Sequence, residues 1–264
     1  MDAAPVHAGR HRRERNRTMR IAVAGGTGTL GHHIVEVARE RGHEIVSLTR
    51  SSGVDLIAGH GLAARLAGVD AVIDAANITT LSATASTEFF TAVTRNLLAA
   101  EREAGVGRHV VVSIVGIDRA PESYYAGKLA QEREVAAGGV PYTIVRATQF
   151  HEFAGQMASQ TSFAGVVLAP TGTFQPIAAR SVAEKLVDVA EGEPVGGTVE
   201  IAGPQPESVS DAVRAVVRAG GKRGPVIPVA LPMPMLKALR NGAVLPDAGT
   251  ELRGPTFAEW LAAQ

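Results

Sequence analysis

Three side chains of the sequence have types and spacings that suit proton transfer. Tyr124 and Lys128 stand one helical turn apart, so on a helix both face the same side. Ser113 comes earlier, at the end of an apolar run that is typical of a strand. Tyrosine is a poor acid or base at neutral pH, but a nearby ammonium favours its phenolate and makes the proton transferable. We interpret Ser113, Tyr124 and Lys128 as candidate catalytic residues; the alternative is a structural tyrosine with a surface lysine.

A glycine-rich segment, Gly25-Gly-Thr-Gly-Thr-Leu-Gly31, directly follows the apolar residues 21–24. It fits the dinucleotide fingerprint Gly-x-Gly-x-x-Gly and also the three-spaced variant Gly-x-x-Gly-x-x-Gly. In such a loop one glycine allows a tight turn, one lets the backbone approach a pyrophosphate, and one lets the next helix pack on the strand. The start of that helix offers free N–H groups and a positive dipole end to phosphates. The segment predicts cofactor binding by Gly25, Thr27, Gly28, Thr29, Leu30 and Gly31.

The residue at the end of the second strand bears on which dinucleotide is bound. NAD-binding chains place an Asp or Glu there, about twenty residues after the last glycine of the loop. Here Arg50 follows the strand, and a guanidinium can hold a 2′-phosphate by a charge-assisted contact. We therefore favour NADP (NADPH) over NAD, the alternative being that Arg50 is a solvated turn residue. Further cofactor contacts are predicted from Ser51, from Asp55 at the adenine edge, and from Ala75, Ala76 and Asn77 at the adenosine ribose.

Composition narrows the class of protein. The 264 residues, with 45% hydrophobic and 20% charged side chains, suit one α/β domain with a normal core. A formal net charge of +0 gives no reason to expect nucleic acid or membrane as a partner, and no apolar run reaches the roughly 18–20 residues of a membrane span. The absence of cysteine excludes disulfides and thiolate sites and suits a cytoplasmic protein. We expect a small-molecule substrate and no metal site.

Residues 1–18 differ in character from the rest of the chain. They carry five arginines and have no apolar stretch of the kind a secretory signal needs. We expect a disordered extension, or an upstream start with Met19 as the natural beginning. A targeting or nucleic-acid-binding arm is the alternative.

Strand-like and helical patterns alternate up to residue 147, which predicts βαβ units and a parallel sheet covered on both faces. Strands are predicted at 21–24, 44–49, 71–75, 109–115 and 142–146, and helices at 29–41, 62–66, 88–103 and 124–137. The later segments are shorter, with helices at 182–190, 210–219, 233–241 and 256–263, a strand at 198–201, and an ordered loop crossing the sheet edge at 225–234. We expect a single α/β domain over residues 19–264, built on a Rossmann-like, doubly wound parallel sheet. A small C-terminal substrate lobe is expected to come mainly from residues 151–264.

Ligands of such sheets bind at the carboxyl ends of the strands. Residues 149–153 follow the predicted strand 142–146, so they are candidates to border a substrate pocket between the sheet and the C-terminal lobe. The candidates are Gln149, Phe150, His151 and Phe153, together with Glu152. His151 can equally be a hydrogen-bonded rim residue, and Met233, Met235 and Leu236 can be lobe core or pocket wall.

With these features the chain resembles the short-chain dehydrogenase/reductase superfamily, and more closely its atypical, NmrA-like branch of NAD(P)-binding proteins. The resemblance covers roughly residues 20–264 and is strongest before 155. It is carried by residues 25–31, Arg50, Asn96-Leu-Leu-Ala-Ala100, Ser113-Ile-Val-Gly116, residues 124–128 and Arg146-Ala-Thr-Gln-Phe150. It implies a Rossmann-like sheet with a variable substrate lobe, and it matches Ser113, Tyr124 and Lys128 to the catalytic triad. Where many relatives have a proton-relay Asn, this chain has Phe89-Phe90.

The resulting expectation is an NADPH-dependent oxidoreductase that reduces a small or medium apolar carbonyl or a similar acceptor. Tyr124 would donate the proton, Lys128 would hold the ribose hydroxyls and lower the pKa of the tyrosine, and Ser113 would orient the acceptor oxygen. One alternative is an NADPH-dependent quinone, flavin or azo reductase, in which Tyr124 matters little. Another is a non-catalytic NADP sensor that binds a regulatory protein, because NmrA-like proteins include both kinds and the fold does not separate them.

Overall fold

The computed structural model describes residues 18–221 and 224–264. The expectation of a disordered extension falls, apart from Thr18, on residues outside this part of the chain. The strands are β1 (Arg20–Ala24), β2 (Glu44–Leu48), β3 (Ala71–Asp74), β4 (Arg108–Ile114), β5 (Tyr142–Ala147), β6 (Ser162–Phe163), β7 (Val166–Pro170), β8 (Thr173–Phe174), β9 (Gly197–Ala202), β10 (Glu207–Ser208), β11 (Val226–Val229) and β12 (Glu251–Leu252). The helices are α1 (Thr29–Glu40), α2 (Leu62–Leu66), α3 (Ala83–Ala104), α4 (Tyr124–Ala137), α5 (Glu152–Gln160), α6 (Ala179–Glu191), α7 (Val209–Ala219), α8 (Pro234–Arg240) and α9 (Phe257–Ala262).

The main sheet has seven parallel strands in the order β12-β9-β5-β4-β3-β1-β2. Helices α1 and α6 pack together on one face, and α3 packs against α2 and α4 on the other. Burial on both faces explains why β1 reads as a continuous apolar run, with Ile21 to Ala24 fully buried. The predicted doubly wound, Rossmann-like α/β fold is confirmed. Its strand order changes direction beside β1, which places the glycine-rich segment at the edge where ligands bind.

Most predicted elements of the main sheet lie within two residues of their observed bounds, but α3 begins five residues before the predicted start at 88. Its first turn is small and polar, so the apolar periodicity sets in late. Ser82 provides the missing start signal, because its hydroxyl oxygen accepts the Ala85 N–H at 3.2 Å as an N-cap.

The C-terminal part contains elements that the sequence pattern did not indicate. Strands β11, β7 and β6 form a three-stranded sheet, and β8 pairs with β10. The predicted crossing loop at 225–234 is wrong in its first half, because Val226–Val229 is a strand parallel to β7. Pro228 argued against a strand in the sequence, because proline has no N–H to donate to a sheet. It is tolerated here because this strand lies at the edge of its sheet. Helix α5 was not predicted either. Only two of its residues, Ala154 and Met157, are buried, so its sequence carries little apolar periodicity.

Within the described residues, no helix combines the length and the apolar character needed to cross a membrane.

Candidate cofactor and active site

Two adjoining cavities open at the carboxyl edge of the main sheet. The outer cavity, about 410 Å³, lies beside the loop after β2, and the inner cavity, about 290 Å³, lies between the ends of β4 and β5 and the start of α4. Ala76 and Asn77 line both, so the two cavities are neighbours. Of the predicted cofactor residues, Gly25, Thr27, Arg50, Ser51, Asp55 and Asn77 line the outer cavity, and Gly28, Thr29, Leu30, Gly31, Ala75 and Asn77 line the inner one.

The backbone of the glycine-rich segment identifies which of its two spacings matters. Gly25 has φ +75°, and a Cβ there would overlap the Ala75 carbonyl oxygen. A Cβ on Gly31 would overlap the Gly25 carbonyl oxygen, because α1 packs closely on the end of β1. By contrast, a Cβ on Gly26 would meet its nearest atom at an ordinary 3.5 Å. Gly28 and Gly31 belong to both spacings, so the need for glycine at 25 and not at 26 favours the three-spaced variant, Gly25, Gly28 and Gly31.

The wall of the outer cavity carries one exposed positive side chain, Arg50, on a short turn that follows β2. In the same cavity wall, the Asp55 carboxylate accepts the backbone N–H groups of Ile57 and Ala58 at 2.9 and 3.0 Å. These two hydrogen bonds hold the pKa of Asp55 below its usual range, and Arg50 contributes in the same direction. Asn96 lies on α3 and begins the segment Asn96-Leu-Leu-Ala-Ala100 noted in the sequence. Its side-chain amide anchors this loop by donating to Ile57 O at 2.7 Å. Asp55 thus shapes the cavity, and its predicted contact with an adenine stays a prediction.

Tyr124 begins α4 and lines the inner cavity. Ser86 fixes it from α3, because the Ser86 hydroxyl donates to the Tyr124 carbonyl oxygen at 2.8 Å. The Tyr124 hydroxyl donates to Asn77 Oδ1 at 2.7 Å. Burial, together with neighbouring Tyr125, raises the pKa of Tyr124 above its ordinary value. The expected lowering of this pKa by Lys128 is therefore not found.

Lys128 lies one turn further along α4 and is 3% exposed. Its ammonium donates to Val112 O at 2.7 Å and to Gln131 Oε1, and it stands 4.6 Å from the centre of the Phe90 ring. Burial lowers the pKa of Lys128 to about 8, although Asp74 and Glu132 oppose the shift. Phe90, one of the two phenylalanines noted in the sequence, therefore supports the lysine through a cation–π contact.

Several buried polar groups at the floor of the inner cavity form no hydrogen bond of ordinary geometry. They are Ser113 Oγ, Thr148 Oγ1 and both amide atoms of Gln149. Gln149 does lie near enough to Tyr125 to lower the pKa of that tyrosine, but burial has the larger effect and raises the pKa of Tyr125 to about 12. A buried polar group without a partner costs about 1–3 kcal/mol. Such groups collected at one cavity indicate a ligand that supplies the partners.

The structure places two of the predicted pocket residues beside Gln149 and two elsewhere. Phe150 and Phe153 line the inner cavity, as predicted, whereas Glu152 is not among its lining residues. His151 does not line it either: it is fully buried, packs on Phe257 and Trp260 with ring centres 5.5 and 5.2 Å away, and faces Pro255 O at 3.2 Å through Nε2. Burial lowers its pKa.

The local turn explains why the pocket prediction for His151 is wrong. The chain bends into α5, and the N–H of Phe153 donates to Phe150 O at 3.0 Å. Residues three apart then share the side facing the cavity, while His151 between them faces α9.

Two lining residues of the inner cavity, Tyr125 and Gln156, were missed as pocket residues. Met235 from α8 also lines it, which fits the second of the two roles predicted for it, lobe core or pocket wall. Gln156 lies three residues beyond Phe153 on α5, so knowledge of that helix would have indicated it. The position of Met235 depends on how α8 folds back, for which the sequence carries no local signal.

Comparison with known proteins agrees with this geometry. The model of the NAD(P)H-binding family matches residues 25–193, and the chain belongs to that family. The family and its structural neighbours confirm the resemblance to atypical short-chain dehydrogenase/reductase proteins. The photosystem II assembly factor Ycf39 of Synechocystis is 28% identical over an alignment of 243 residues, which covers 84% of this chain and 74% of that protein.

Two solved structures share the fold at low identity. MoeE5 in complex with UDP-glucose and NAD is 18% identical, with a TM-score of 0.71 over 93% of this chain and 97% of that one. The quinone oxidoreductase QOR2 of Escherichia coli, complexed with NADPH, is also 18% identical, with a TM-score of 0.64 over 92% and 99%. One neighbour holds NAD and the other NADPH, so the comparisons support NAD(P) binding without choosing between the two.

Proposed function

We propose that the protein is an NADPH-dependent oxidoreductase that reduces a small or medium uncharged carbonyl or a similar acceptor. One observation carries the proposal: the inner cavity brings Ser113, Tyr124 and Lys128 together beside the glycine-rich segment. This arrangement puts an acid, an oxygen-orienting hydroxyl and a buried cation next to the dinucleotide-binding loop.

The residues present fit the cofactor. Arg50 in the outer cavity would meet the 2′-phosphate, and the backbone at Gly25–Gly31 with the start of α1 would meet the pyrophosphate. The nicotinamide end would enter the inner cavity, where it supplies the hydride. The unpaired groups at its floor offer partners both for the nicotinamide end and for an acceptor.

The protein side chains would handle the proton. With its raised pKa, Tyr124 stays a protonated phenol at neutral pH and is a donor. The Tyr124 hydroxyl would exchange its hydrogen bond to Asn77 Oδ1 for one to the acceptor oxygen. As that oxygen gains negative charge, Tyr124 would transfer its proton to it, and Ser113 would donate a second hydrogen bond. The Lys128 ammonium would stabilise the resulting phenolate until solvent returns a proton.

The lining of the inner cavity limits the substrate. Among its described residues Lys128 is the one with a charged side chain, and the walls are apolar at Leu30, Ile114, Phe150, Phe153 and Met235. A cationic substrate group would be repelled by the Lys128 ammonium, and an anionic one would meet only the single N–H that Lys128 does not donate to Val112 O or Gln131 Oε1. The substrate is therefore uncharged and small enough to share the cavity with a nicotinamide. The cysteine-free composition supports a cytoplasmic location.

Quinone reduction is the second candidate. It is favoured by the Tyr124 hydroxyl, which points to Asn77 and has a raised pKa, so hydride could leave without its help. The name of the neighbour QOR2 supports the same class of acceptor. A non-catalytic sensor is less favoured because all three catalytic candidates line one cavity.

The test is NADPH oxidation with a panel of carbonyls and quinones, using Tyr124→Phe and the control Tyr125→Phe. Tyr124→Phe should lower carbonyl turnover by about 10²-fold or more and keep NADPH affinity, because it removes one hydroxyl. Tyr125→Phe should keep turnover within a few-fold. Lys128→Ala should lower both turnover and NADPH affinity.

Each other outcome points to a different function. Unchanged quinone turnover in Tyr124→Phe would support the second candidate. Tight NADPH binding with no turnover on any acceptor would defeat the proposal and favour the sensor.

A further inference from the structure

Two buried residues that no part of the proposed reaction uses form a polar chain behind Lys128. Asp74 ends β3 and Gln131 lies on α4, and each is 1% exposed. Gln131 Nε2 donates to Asp74 Oδ2 at 2.8 Å, and Gln131 Oε1 accepts from the Lys128 ammonium. The hydrogen bonds therefore connect a carboxylate to an amide and the amide to an ammonium, and the ammonium end belongs to Lys128, which lines the inner cavity.

The order of these hydrogen bonds fixes the orientation of the Gln131 side-chain amide. A carboxylate accepts only, so Asp74 selects the NH₂ end of Gln131 and turns its carbonyl oxygen toward Lys128. The reversed amide would point N–H groups at the ammonium. Asp74 thereby transmits its negative charge to Lys128 through a polarised amide, and chained hydrogen bonds of this kind strengthen one another.

The same carboxylate also reaches the cofactor loop. Asp74 Oδ1 accepts the backbone N–H of Ala76 at 2.9 Å, and Ala76 lines both cavities. The adjacent Ala75 carbonyl is the atom against which Gly25 packs. One side chain thus ties the loop at the junction of the cavities to the lysine.

Two of the three ammonium N–H groups are committed, one to Val112 O and one to Gln131. One N–H is left for the Phe90 ring or for a hydroxyl of a ligand in the inner cavity. Because the three N–H groups have a fixed tetrahedral arrangement, the acceptors of the first two N–H groups determine the direction of the third.

We propose that Asp74 and Gln131 are positioning residues, which hold Lys128 charged and aim its remaining N–H into the inner cavity. The importance of Lys128 for cofactor and proton rests on the proposed function, but the coupling of the three side chains does not. Charged or titratable groups around Lys128 are Asp74 from β3 and Glu132 on its own helix, with Tyr124 one turn before it. His109 of β4, paired with Glu101 of α3, faces Asp74.

The test follows Lys128 directly. The chain has four lysines, so the full-length protein with ¹³Cε-labelled lysine gives few signals, and Lys128→Met assigns the one of interest. Its titration midpoint should be near 8. Asp74→Asn keeps the size of the side chain and removes the charge, and Gln131→Leu removes the acceptor. Each should move the midpoint down by about one pH unit, and each should weaken NADPH binding several-fold.

Glu101→Gln is the matched control, because it also removes a buried carboxylate, here one hydrogen-bonded to His109. It can lower the melting temperature but should leave the Lys128 midpoint unchanged. A midpoint within about 0.3 pH unit of the parent in both Asp74→Asn and Gln131→Leu would overturn the proposal, whatever happens to stability. If one variant does not fold, the other decides. The midpoint is measured without cofactor, so it stands even if NADPH fails to bind and the proposed function falls.

Discussion

The two cavities share Ala76 and Asn77 but are built on different principles. The outer cavity is formed largely by residues 25–57, close together in sequence, and it presents the exposed cation Arg50. The inner cavity draws on six separate regions, from the glycine-rich segment to α8, and its polar groups are buried and in part unpaired. An exposed charge can select a ligand by electrostatics alone, whereas buried polar groups select by leaving the wrong ligand with unmatched hydrogen bonds.

The largest expected effect is at Gly31, which lies in the first turn of α1 and lines the inner cavity. Gly31→Ala forces a Cβ into the Gly25 carbonyl oxygen, so either the helix or the loop must shift. We expect a loss of about 2 kcal/mol or more in the free energy of unfolding and loss of measurable NADPH binding. Urea denaturation and fluorescence titration with NADPH check both.

The control for Gly31 is Gly26→Ala in the same loop, where the new Cβ has room at 3.5 Å. It should change stability by less than about 0.5 kcal/mol and retain binding. Equal damage from the two substitutions would show that the three-spaced pattern is not what the loop requires.

The contrast between the cavities also explains what the sequence could reveal. The glycine-rich segment, Arg50 and the turn-spaced Tyr124 and Lys128 are local patterns whose geometry follows from the adjoining strand or helix. His151 was misplaced because its side depends on how the chain bends into α5. Gln131 and Asp74 are 57 positions apart and meet only through packing of α4 beside β3, so no local pattern indicates their contact.

The second effect, on stability, comes from the buried cation of the inner cavity. The folded-state pKa of Lys128 is lowered to about 8, below that of an unfolded lysine. Between these two values the unfolded chain binds more protons, so the free energy of unfolding should rise with pH, by on the order of 1–3 kcal/mol. Tyr124 and Tyr125 have raised pKa values and act oppositely, but only above about pH 10.

Urea denaturation between pH 7.5 and about 9.5 measures this slope. Lys128→Met should remove most of the rise, whereas Lys237→Met, exposed on α8, should keep it. A parent protein with flat stability over this range would contradict the buried, destabilised ammonium.

The third effect distinguishes a ligand-directed amide from a structural one. Gln149→Leu removes a buried amide, on a half-buried residue, that forms no hydrogen bond of ordinary geometry, so the melting temperature should stay the same or rise. Gln175→Leu is the matched control, because Gln175 Nε2 donates to Gly203 O at 2.7 Å. It should lose about 1–2 kcal/mol of stability. Turnover should respond in the opposite way, with KM raised in Gln149→Leu and unchanged in the control. Destabilisation by Gln149→Leu would mean that this amide serves the fold.

The smallest effect is expected in the outer cavity, because Arg50 is exposed and solvent weakens its field. NADPH should bind more tightly than NADH, and Arg50→Ala should weaken NADPH about tenfold while leaving the Kd for NADH within a factor of two or so. Arg39→Ala, which removes an exposed positive charge from the end of α1, should change neither. Because the contact is exposed, the preference for NADPH should also shrink as salt rises, which the buried groups of the inner cavity should not show for their own ligand. Equal affinities for the two cofactors in the intact protein would remove Arg50 as the determinant. They would also break the contrast drawn between the cavities, since the outer one would then select nothing by charge.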